Sequence, residues 1–178
     1  SPLFSEQKNI EWTQKKNQVI FVGRLSEEKQ IHIILDIWER IGKITNWELV
    51  IIGDGCIRQK LEQTVRDKQI QRVSFTGQVN HPEEYYKSAK IILLTSSFEG
   101  FPMCLIEALR FGVIPLTFDI SAGVRSIVSN SGGIIIKNRN SNEMFLKLQE
   151  LINNKYLHSL SEKARLKSNR YTWNRIGE

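Results

Sequence analysis

The sequence predicts a doubly wound α/β domain, a Rossmann-like six-stranded parallel sheet with helices on both faces. Short apolar, β-branched runs alternate with stretches whose apolar residues repeat with the period of an α-helix, and glycines mark the short connections. The fifth run, Val113–Phe118, is apolar almost throughout, which is typical of a strand buried on both faces. The chain has 178 residues, 40% hydrophobic and 25% charged, so one globular domain is expected.

The predicted elements alternate between strand and helix along the chain. The predicted strands are Val19–Val22, Trp47–Ile52, Val73–Thr76, Ile91–Thr95, Val113–Phe118 and Ile134–Ile136. The helical pattern covers residues 31–41, 57–70, 82 onward, 102–111, 121–128, 141–152 and about 156–166. Trp38 and Phe145 are expected in the core, and Ser141 opens a capped amphipathic helix. Strands joined by helices in this way imply right-handed crossovers and a parallel sheet.

Composition and charge narrow the classes of function. The net charge of +6 favours anionic partners such as nucleotides. The basic residues are scattered and carry no nucleic-acid-binding motif, so nucleic-acid binding is only a second choice. Cys56 and Cys104 lie in different elements without metal-ligand spacing. No apolar run is long enough to cross a bilayer, and residues 1–16 lack the apolar core of a signal peptide, so a cytoplasmic protein is expected.

Two carboxylates flank the junction between the fourth predicted strand and the next helix. Glu99 lies on the loop at the strand's carboxyl end, and Glu107 lies inside the helix, for which Pro102 suits the first position. Open α/β sheets bind ligands outside the carboxyl ends of their strands, where a helix start attracts phosphate. Acids beside a phosphate would accept hydrogen bonds from sugar hydroxyls. The pair therefore suggests a sugar nucleotide, and the alternative is two solvated surface acids.

The spacing of the glycines argues against a dehydrogenase, because a dinucleotide site needs the pattern G-x-G-x-x-G after the first strand. Gly23 stands alone after the first strand, and Gly53-Asp54-Gly55 after the second strand has Arg58 where a third glycine is needed. The sequence has no P-loop motif, which excludes a P-loop nucleotidase. It also has no Asp-x-Asp, which argues against metal-dependent sugar transfer through such a carboxylate pair. The phosphate charge must then be met by cations of the protein. Arg24 and Lys29 follow the first strand and suit a diphosphate together, although either one alone would be interpreted as a solvated surface residue.

Several short motifs occur in order along the chain. They are Val22-Gly23-Arg24-Leu25 with Lys29, Ile52-Gly53-Asp54-Gly55, Phe75-Thr76-Gly77, the span from Glu99-Gly100-Phe101 to Glu107-Ala108, and the segment Gly112–Pro115. With these motifs the region Val19–Leu151 resembles the family-four glycosyltransferases, also called glycosyl transferases group one. The resemblance is to the C-terminal half of their GT-B fold, which binds the nucleotide sugar, whereas a separate N-terminal domain binds the acceptor.

The resemblance implies a role for each charged residue of the motifs. Arg24 and Lys29 would hold the donor diphosphate, and Gly23 would let the phosphates approach closely. Glu99 would contact the transferred sugar, and Glu107 would accept hydrogen bonds from the ribose hydroxyls. The catalytic set implied is Glu99, Arg24 and Lys29.

The resemblance also implies the rest of the donor site and the reaction. Val79, on the loop after Gly77, would border the base, and the turn formed by Gly100, Phe101 and Pro102 would complete the site. The donor implied is a nucleoside diphosphate hexose, with UDP as the nucleotide, and neither a metal nor another cofactor is expected. The sugar would pass to a glycan or lipid-linked acceptor with retention of the anomeric configuration. Peripheral contact with the inner face of a membrane is compatible with this picture.

The domain organisation implied has three parts. Residues 1–18 would be an interdomain linker or a cut end, 19–170 the nucleotide-sugar-binding domain, and 171–178 the start of a crossover helix to a missing N-terminal domain. This fragment alone is expected to be inactive in transfer.

Three departures from the family pattern leave the donor sugar open. Many relatives have glycine at Pro102, a second glycine is frequent at Ala122, and glutamate is common at Ser126. Two other hypotheses remain, a sugar-nucleotide epimerase of related fold and a non-catalytic module that binds nucleotide or a protein partner.

Overall fold

The computed structural model describes residues 12–171 and contains one parallel six-stranded sheet in the order β3-β2-β1-β4-β5-β6. The strands are β1 Gln18–Val22, β2 Glu48–Ile52, β3 Val73–Gly77, β4 Ile91–Leu94, β5 Ile114–Phe118 and β6 Ile134–Ile136. Every predicted strand is present with both ends within one residue of the expected position. The predicted doubly wound, Rossmann-like fold is therefore confirmed.

Helices follow the strands as expected. The α-helices are α1 Ile31–Ile41, α2 Arg58–Asp67, α3 Glu83–Ser88, α4 Met103–Arg110, α5 Ala122–Val128, α6 Ser141–Ile152 and α7 Leu157–Ser168. Short 3-10 turns occur at Trp12–Gln14, Glu27–Lys29, Lys137–Arg139 and Asn169–Tyr171. Among residues 12–171 no helix combines the length and the apolar character needed to cross a membrane.

The core has two layers, one on each face of the sheet. Val19 and Phe21 belong to one buried cluster and Ile20 to the other, because alternate side chains of a strand point to opposite faces. Trp38 and Phe145 are buried in the first cluster, as predicted from their helical spacing. Each large apolar side chain removed from water in this way contributes roughly 1.5–3 kcal/mol. Burial on both faces explains why the inner strands β1, β2, β4 and β5 are almost entirely apolar, whereas the edge strand β3 carries the exposed Ser74.

The start of α4 differs from the prediction, and the predicted start of the capped helix at Ser141 is confirmed. Pro102 precedes α4 rather than beginning it, because its ψ of 106° is extended and the helix begins at Met103. The side chain that caps α6 is Asn140, which accepts a hydrogen bond from the Glu143 N–H at 3.0 Å, and Ser141 is the first helical residue. Asparagine and serine are both good caps, so composition alone could not choose between neighbouring positions.

At the amino ends of the strands, the segment before β1 packs against the domain. Lys15 is buried and donates from Nζ to the carbonyl oxygens of Tyr86 at 3.1 Å, Lys87 at 3.3 Å and Ala89 at 2.7 Å. These carbonyls close the last turn of α3. Trp12 stacks on His158 of α7 with ring centroids 5.3 Å apart. We call the end of the sheet at which the parallel strands begin the amino edge, and the end at which they finish the carboxyl edge.

The predicted domain boundaries at residues 18 and 170 stay predictions. The first eleven residues of the predicted linker, 1–11, and residues 172–178 of the predicted crossover helix lie outside the described residues.

Candidate functional site

The candidate site lies at the carboxyl edge, where the order of the sheet reverses. β1 and β4 are neighbours in space but not in sequence, and the chain leaves them toward opposite sides. The connections after such strands diverge and leave a crevice, which is where open α/β sheets bind ligands. Lys29 follows β1 and Glu99 follows β4, so both predicted residues lie at this crevice.

The structure brings Lys29 and Glu99 together. The Lys29 Nζ forms an ion pair and hydrogen bond with Glu99 Oε1, and Ser96 Oγ donates to the same carboxylate oxygen at 3.0 Å. The two side chains are 21% and 13% exposed, so they are shielded but still reachable from solvent. A partly shielded pair interacts more strongly than a surface pair, because water screens it less.

Backbone hydrogen bonds join the two loops that carry this pair. The Ser97 N–H donates to the Glu28 carbonyl at 2.8 Å, and Thr95 Oγ1 lies 3.1 Å from the Lys29 carbonyl and 3.0 Å from that of Gln30. Thr95 is fully buried. The loop after β1 and the loop after β4 therefore form one unit, and the relative position of the Lys29 and Glu99 backbones is fixed.

Arg139 braces the same unit and was not identified from the sequence as a site residue. Its guanidinium donates to the carbonyls of Ser96 at 2.9 Å and Thr95 at 2.8 Å, and to the Gln30 side-chain oxygen. It also lies over the Phe118 ring, 4.7 Å from the centroid. Arg139 thus ties the β6–α6 connection to the end of β4. A single arginine after a short strand carries no sequence pattern that could have predicted this contact.

Arg24 is a cation of the candidate site whose guanidinium N–H groups are not used by another residue of the described chain. Its side chain is exposed and forms no hydrogen bond or ion pair with another residue of the described chain. Its backbone is nevertheless fixed, because the Gly23 N–H donates to the Ile52 carbonyl at 3.0 Å and the Leu25 N–H to the Asp54 carbonyl at 2.9 Å. A guanidinium on a fixed backbone with free donors is suited to bind an anion.

The turn after β2 explains the glycine at position 53. A Cβ there would lie 1.9 Å from the Gly23 carbonyl oxygen, and the residue has a φ of +137°, which side chains rarely tolerate. The glycine is thus required because the turns after β1 and β2 touch backbone to backbone. The Gly55 N–H, together with the Arg58 guanidinium 2.8 Å from the Asp54 carboxylate, holds the pKa of the Asp54 carboxyl below its usual value.

Glu107 lies on α4 and is held by a residue that sequence analysis did not single out. The Tyr86 hydroxyl donates to Glu107 Oε2 at 3.1 Å, and Tyr86 is fully buried. Between the two predicted acids lies Cys104. Burial raises the pKa of its thiol to about 12, and the charges of Glu99, Lys29 and Glu107 all act on it.

The loop between Glu99 and α4 is supported from α5. Ser121 Oγ donates to the Gly100 carbonyl at 3.1 Å and also caps α5 by accepting from the Val124 N–H. A Cβ at Gly123 would lie 2.2 Å from the Gly100 carbonyl oxygen, so the contact requires glycine. Phe101 is half exposed and packs edge-on against Tyr171, with ring centroids 5.9 Å apart. Pro102 is buried at the start of α4.

Val79, expected to border the base, lies on the loop between β3 and α3. It is half-buried and packs against the second core cluster. At Gly77, two residues before Val79, a Cβ would lie 2.9 Å from an Arg58 guanidinium nitrogen.

Among residues 12–171 no three His, Cys, Asp or Glu side chains are grouped so that they could hold a metal ion.

The fold and the candidate site together define a Rossmann-like domain with cations and hydrogen-bond acceptors at the edge where open α/β sheets bind ligands. The chain belongs to the family described as "Glycosyl transferases group 1", whose model matches residues 4–171. The family predicted from the sequence motifs is therefore confirmed, and the structural neighbours are GT-B glycosyltransferases.

Curated proteins that resemble this chain are named as glycosyltransferases. The chain is 33% identical over 143 residues to the amylovoran biosynthesis glycosyltransferase AmsD of Erwinia amylovora, covering 79% of this chain and 40% of that protein. It is 32% identical, with the same coverage, to a Campylobacter jejuni alpha-1,4-N-acetyl-D-galactosaminyltransferase whose name specifies a diNAcBac-PP-undecaprenol glycan. The chain thus spans about 40% of the length of these two curated relatives.

A solved structure shares the fold closely. A mutant of S. aureus TarM in complex with fondaparinux, alpha-GlcNAc-glycerol and UDP superimposes with a TM-score of 0.82 and 27% identity, covering 92% of this chain and 34% of that one.

Proposed function

We propose that this chain is the donor-binding domain of a retaining glycosyltransferase that uses a UDP-hexose and needs no metal. The observation that carries the proposal is the arrangement at the carboxyl edge. There Lys29 and Glu99 form an ion pair. Arg24 follows the same strand as Lys29, and Glu107 lies on the helix that comes after Glu99. Cations suit the diphosphate of such a donor, and carboxylates suit the hydroxyls of its two sugars.

Arg24 and Lys29 would bind the diphosphate. Arg24 offers a planar fork of donors, and Lys29 a mobile charge that can turn from Glu99 toward a phosphate oxygen. Both lie on loops held by backbone hydrogen bonds, so little ordering is left to binding. As the bond to the sugar breaks, charge accumulates on the departing phosphate, and pre-placed cations stabilise that charge most in the transition state.

The two carboxylates would divide the recognition of hydroxyl groups between them. Glu99, held by Ser96 and Lys29, would accept hydrogen bonds from the transferred sugar. Glu107 would accept hydrogen bonds from the ribose hydroxyls. Gly23, Gly100, Phe101 and Pro102 would line the donor, and Val79 would border the base.

The reaction proposed is a front-face displacement. The bond between the anomeric carbon and the phosphate oxygen breaks, the acceptor oxygen bonds to that carbon on the same face, and the acceptor's proton moves to the departing phosphate. The Campylobacter relative is named as an alpha-glycosyltransferase. Transfer from an α-linked UDP-sugar to an α-linked product proceeds with retention, which is the outcome that a front-face displacement gives. UDP as the nucleotide is supported by the TarM complex.

The acceptor would be a glycan or lipid-linked glycan bound by a second domain. Support comes from the partial coverage of the relatives and from the undecaprenol-linked glycan in the name of one of them. Action in the cytoplasm, with peripheral contact at the inner face of the membrane, follows from such an acceptor.

Two carboxamide substitutions test this proposal in the 178-residue chain. We expect Glu107→Gln to lower UDP affinity about tenfold, and Glu99→Gln to leave UDP affinity nearly unchanged while it lowers affinity for the preferred UDP-hexose several-fold. Calorimetric titration with UDP and a panel of UDP-hexoses measures both. Glu150→Gln on the exposed surface of α6 is the matched control. Equal loss of UDP affinity in the Glu99 and Glu107 variants would refute the assignment of roles.

A further inference from the structure

Tyr86 is a buried polar residue in contact with Glu107 of the candidate site, and the proposed function assigns no role to Tyr86. It lies in α3, a helix of six residues, and is fully buried. Its hydroxyl donates to Glu107 Oε2 at 3.1 Å across 21 positions of sequence. Glu107 itself is only half-buried, and its other oxygen makes no hydrogen bond to any residue of the described chain.

The hydroxyl is a permanent donor. Burial raises the pKa of Tyr86 well above its usual value, and the Cys104 and Glu107 groups beside it act in the same direction. The phenol therefore keeps its proton at any physiological pH. A protonated phenol beside a carboxylate donates to it, so one oxygen of Glu107 is occupied, and the other has no hydrogen-bond partner among residues 12–171.

Tyr86 is itself fixed at both of its ends. Its backbone carbonyl accepts a hydrogen bond from the buried Lys15 Nζ at 3.1 Å, and its ring stacks on Phe111, with centroids 6.1 Å apart and planes 6° apart. An isolated helix as short as α3 is not stable in water, so these contacts and its packing determine where it lies. The hydroxyl is consequently a rigid reference point for Glu107.

We propose that Tyr86 is a positioning residue that orients the Glu107 carboxylate for the ribose hydroxyls of the nucleotide. A glutamate on a helix has several rotatable bonds, and a carboxylate that must first be ordered binds a ligand less tightly. By holding Oε2, Tyr86 presents Oε1 toward the crevice. The inference rests on the proposed function, because it takes the ribose of a nucleoside diphosphate to be the group that Glu107 binds.

The test compares Tyr86→Phe with Tyr85→Phe in the 178-residue chain. Both variants remove one hydroxyl from adjacent residues of α3, but only Tyr86 contacts Glu107. The probes are UDP and 2′,3′-dideoxy-UDP, titrated calorimetrically. We expect Tyr86→Phe to weaken UDP binding three- to tenfold and dideoxy-UDP binding less than twofold. Tyr85→Phe should leave both unchanged.

A cycle with Glu107→Gln separates positioning from a general structural effect. If Tyr86 acts through Glu107, Tyr86→Phe should weaken UDP binding less in the Glu107→Gln background than in the wild-type chain. Equal weakening of UDP and dideoxy-UDP by Tyr86→Phe would overturn the inference, and so would no weakening of UDP. A wild-type chain that binds UDP and dideoxy-UDP equally well would instead overturn the ribose role of Glu107 in the proposed function. Thermal unfolding of each variant confirms that folded protein is compared.

Discussion

The two edges of the sheet each hold a lysine out of bulk water, and the lysines differ in their partners. At the amino edge, Lys15 is 6% exposed and donates to three backbone carbonyls. At the carboxyl edge, Lys29 has a side chain that is 21% exposed and pairs with the Glu99 carboxylate. Carbonyls fixed in a helix cannot be exchanged for a ligand, whereas a side-chain carboxylate can share or release its partner. The amino edge is therefore structural, and the carboxyl edge is available for binding.

The surroundings of the two lysines reinforce this difference. Lys15 has other cations near it, Arg165 and Lys90, and Lys90 lies 4.9 Å from the ring centroid of Trp12. Lys29 lies among hydrogen-bond acceptors, and the exposed Arg24 follows the same strand. Positive charges close to the buried Lys15 oppose its ionisation. At the carboxyl edge, by contrast, cations with available donors suit an anionic ligand, and the carboxylate suits the hydroxyls of that ligand. Three predictions follow from the comparison.

The largest expected effect is on ligand binding at the carboxyl edge. Lys29→Met should lower UDP affinity about 10- to 100-fold, because a hydrogen bond to a charged group contributes roughly 1.5–3 kcal/mol. UMP affinity should change far less, since the lost charge is assigned to the diphosphate. The free energy of unfolding should change by less than about 1 kcal/mol. Calorimetry and urea unfolding provide the two measurements.

Lys147→Met is the matched control for this substitution, because Lys147 on α6 forms only a surface pair with Glu150. If Lys29→Met left UDP affinity within twofold of the wild type, the lysine at the carboxyl edge would be structural, and the contrast between the edges would disappear.

A smaller effect, on stability alone, is expected at the amino edge. Lys15→Met should lower the free energy of unfolding by about 1–2 kcal/mol at pH 8, because the carbonyls at the end of α3 lose their donor. Burial lowers the pKa of Lys15 to about 7 in the folded chain, with Arg165 and Lys90 contributing, against an ordinary value of 10.5. Between these values the unfolded state binds the extra proton, so wild-type stability relative to Lys15→Met should rise with pH.

The slope of that rise has an upper limit of about 1.4 kcal/mol per pH unit for one proton. Urea unfolding of wild type and Lys15→Met at several pH values from 6.5 to 9.5 measures it. A relative stability that stays flat or falls over this range would mean that the three carbonyls keep Lys15 charged.

The sequence predicted the fold, and it placed Lys29 and Glu99 at the same edge of the sheet, for a physical reason. Strand runs, helical periodicity and glycine turns are local signals, and parallel strands bring all their carboxyl ends to one edge. Lys29 and Glu99 could therefore be placed together although 70 positions separate them.

The missed contacts depend on tertiary packing rather than on local pattern. Lys15 meets carbonyls 71 to 74 positions away, and Arg139 meets those of Thr95 and Ser96 from 44 and 43 positions away. Backbone carbonyls carry no residue identity, so no sequence pattern marks their partners. Tyr86 was missed for a related reason, since a tyrosine in a short helix is an ordinary core residue until its hydroxyl is seen to reach Glu107.

The most direct test of the carboxyl edge is calorimetric titration of the 178-residue chain with UDP and with UMP, each in the presence of EDTA. Arg24 and Lys29 are assigned to the diphosphate, and no metal is assigned to the site. We therefore expect UDP to bind at least about tenfold more tightly than UMP, and EDTA to change neither affinity. Equal affinities for UDP and UMP, or UDP binding that disappears with EDTA, would contradict it.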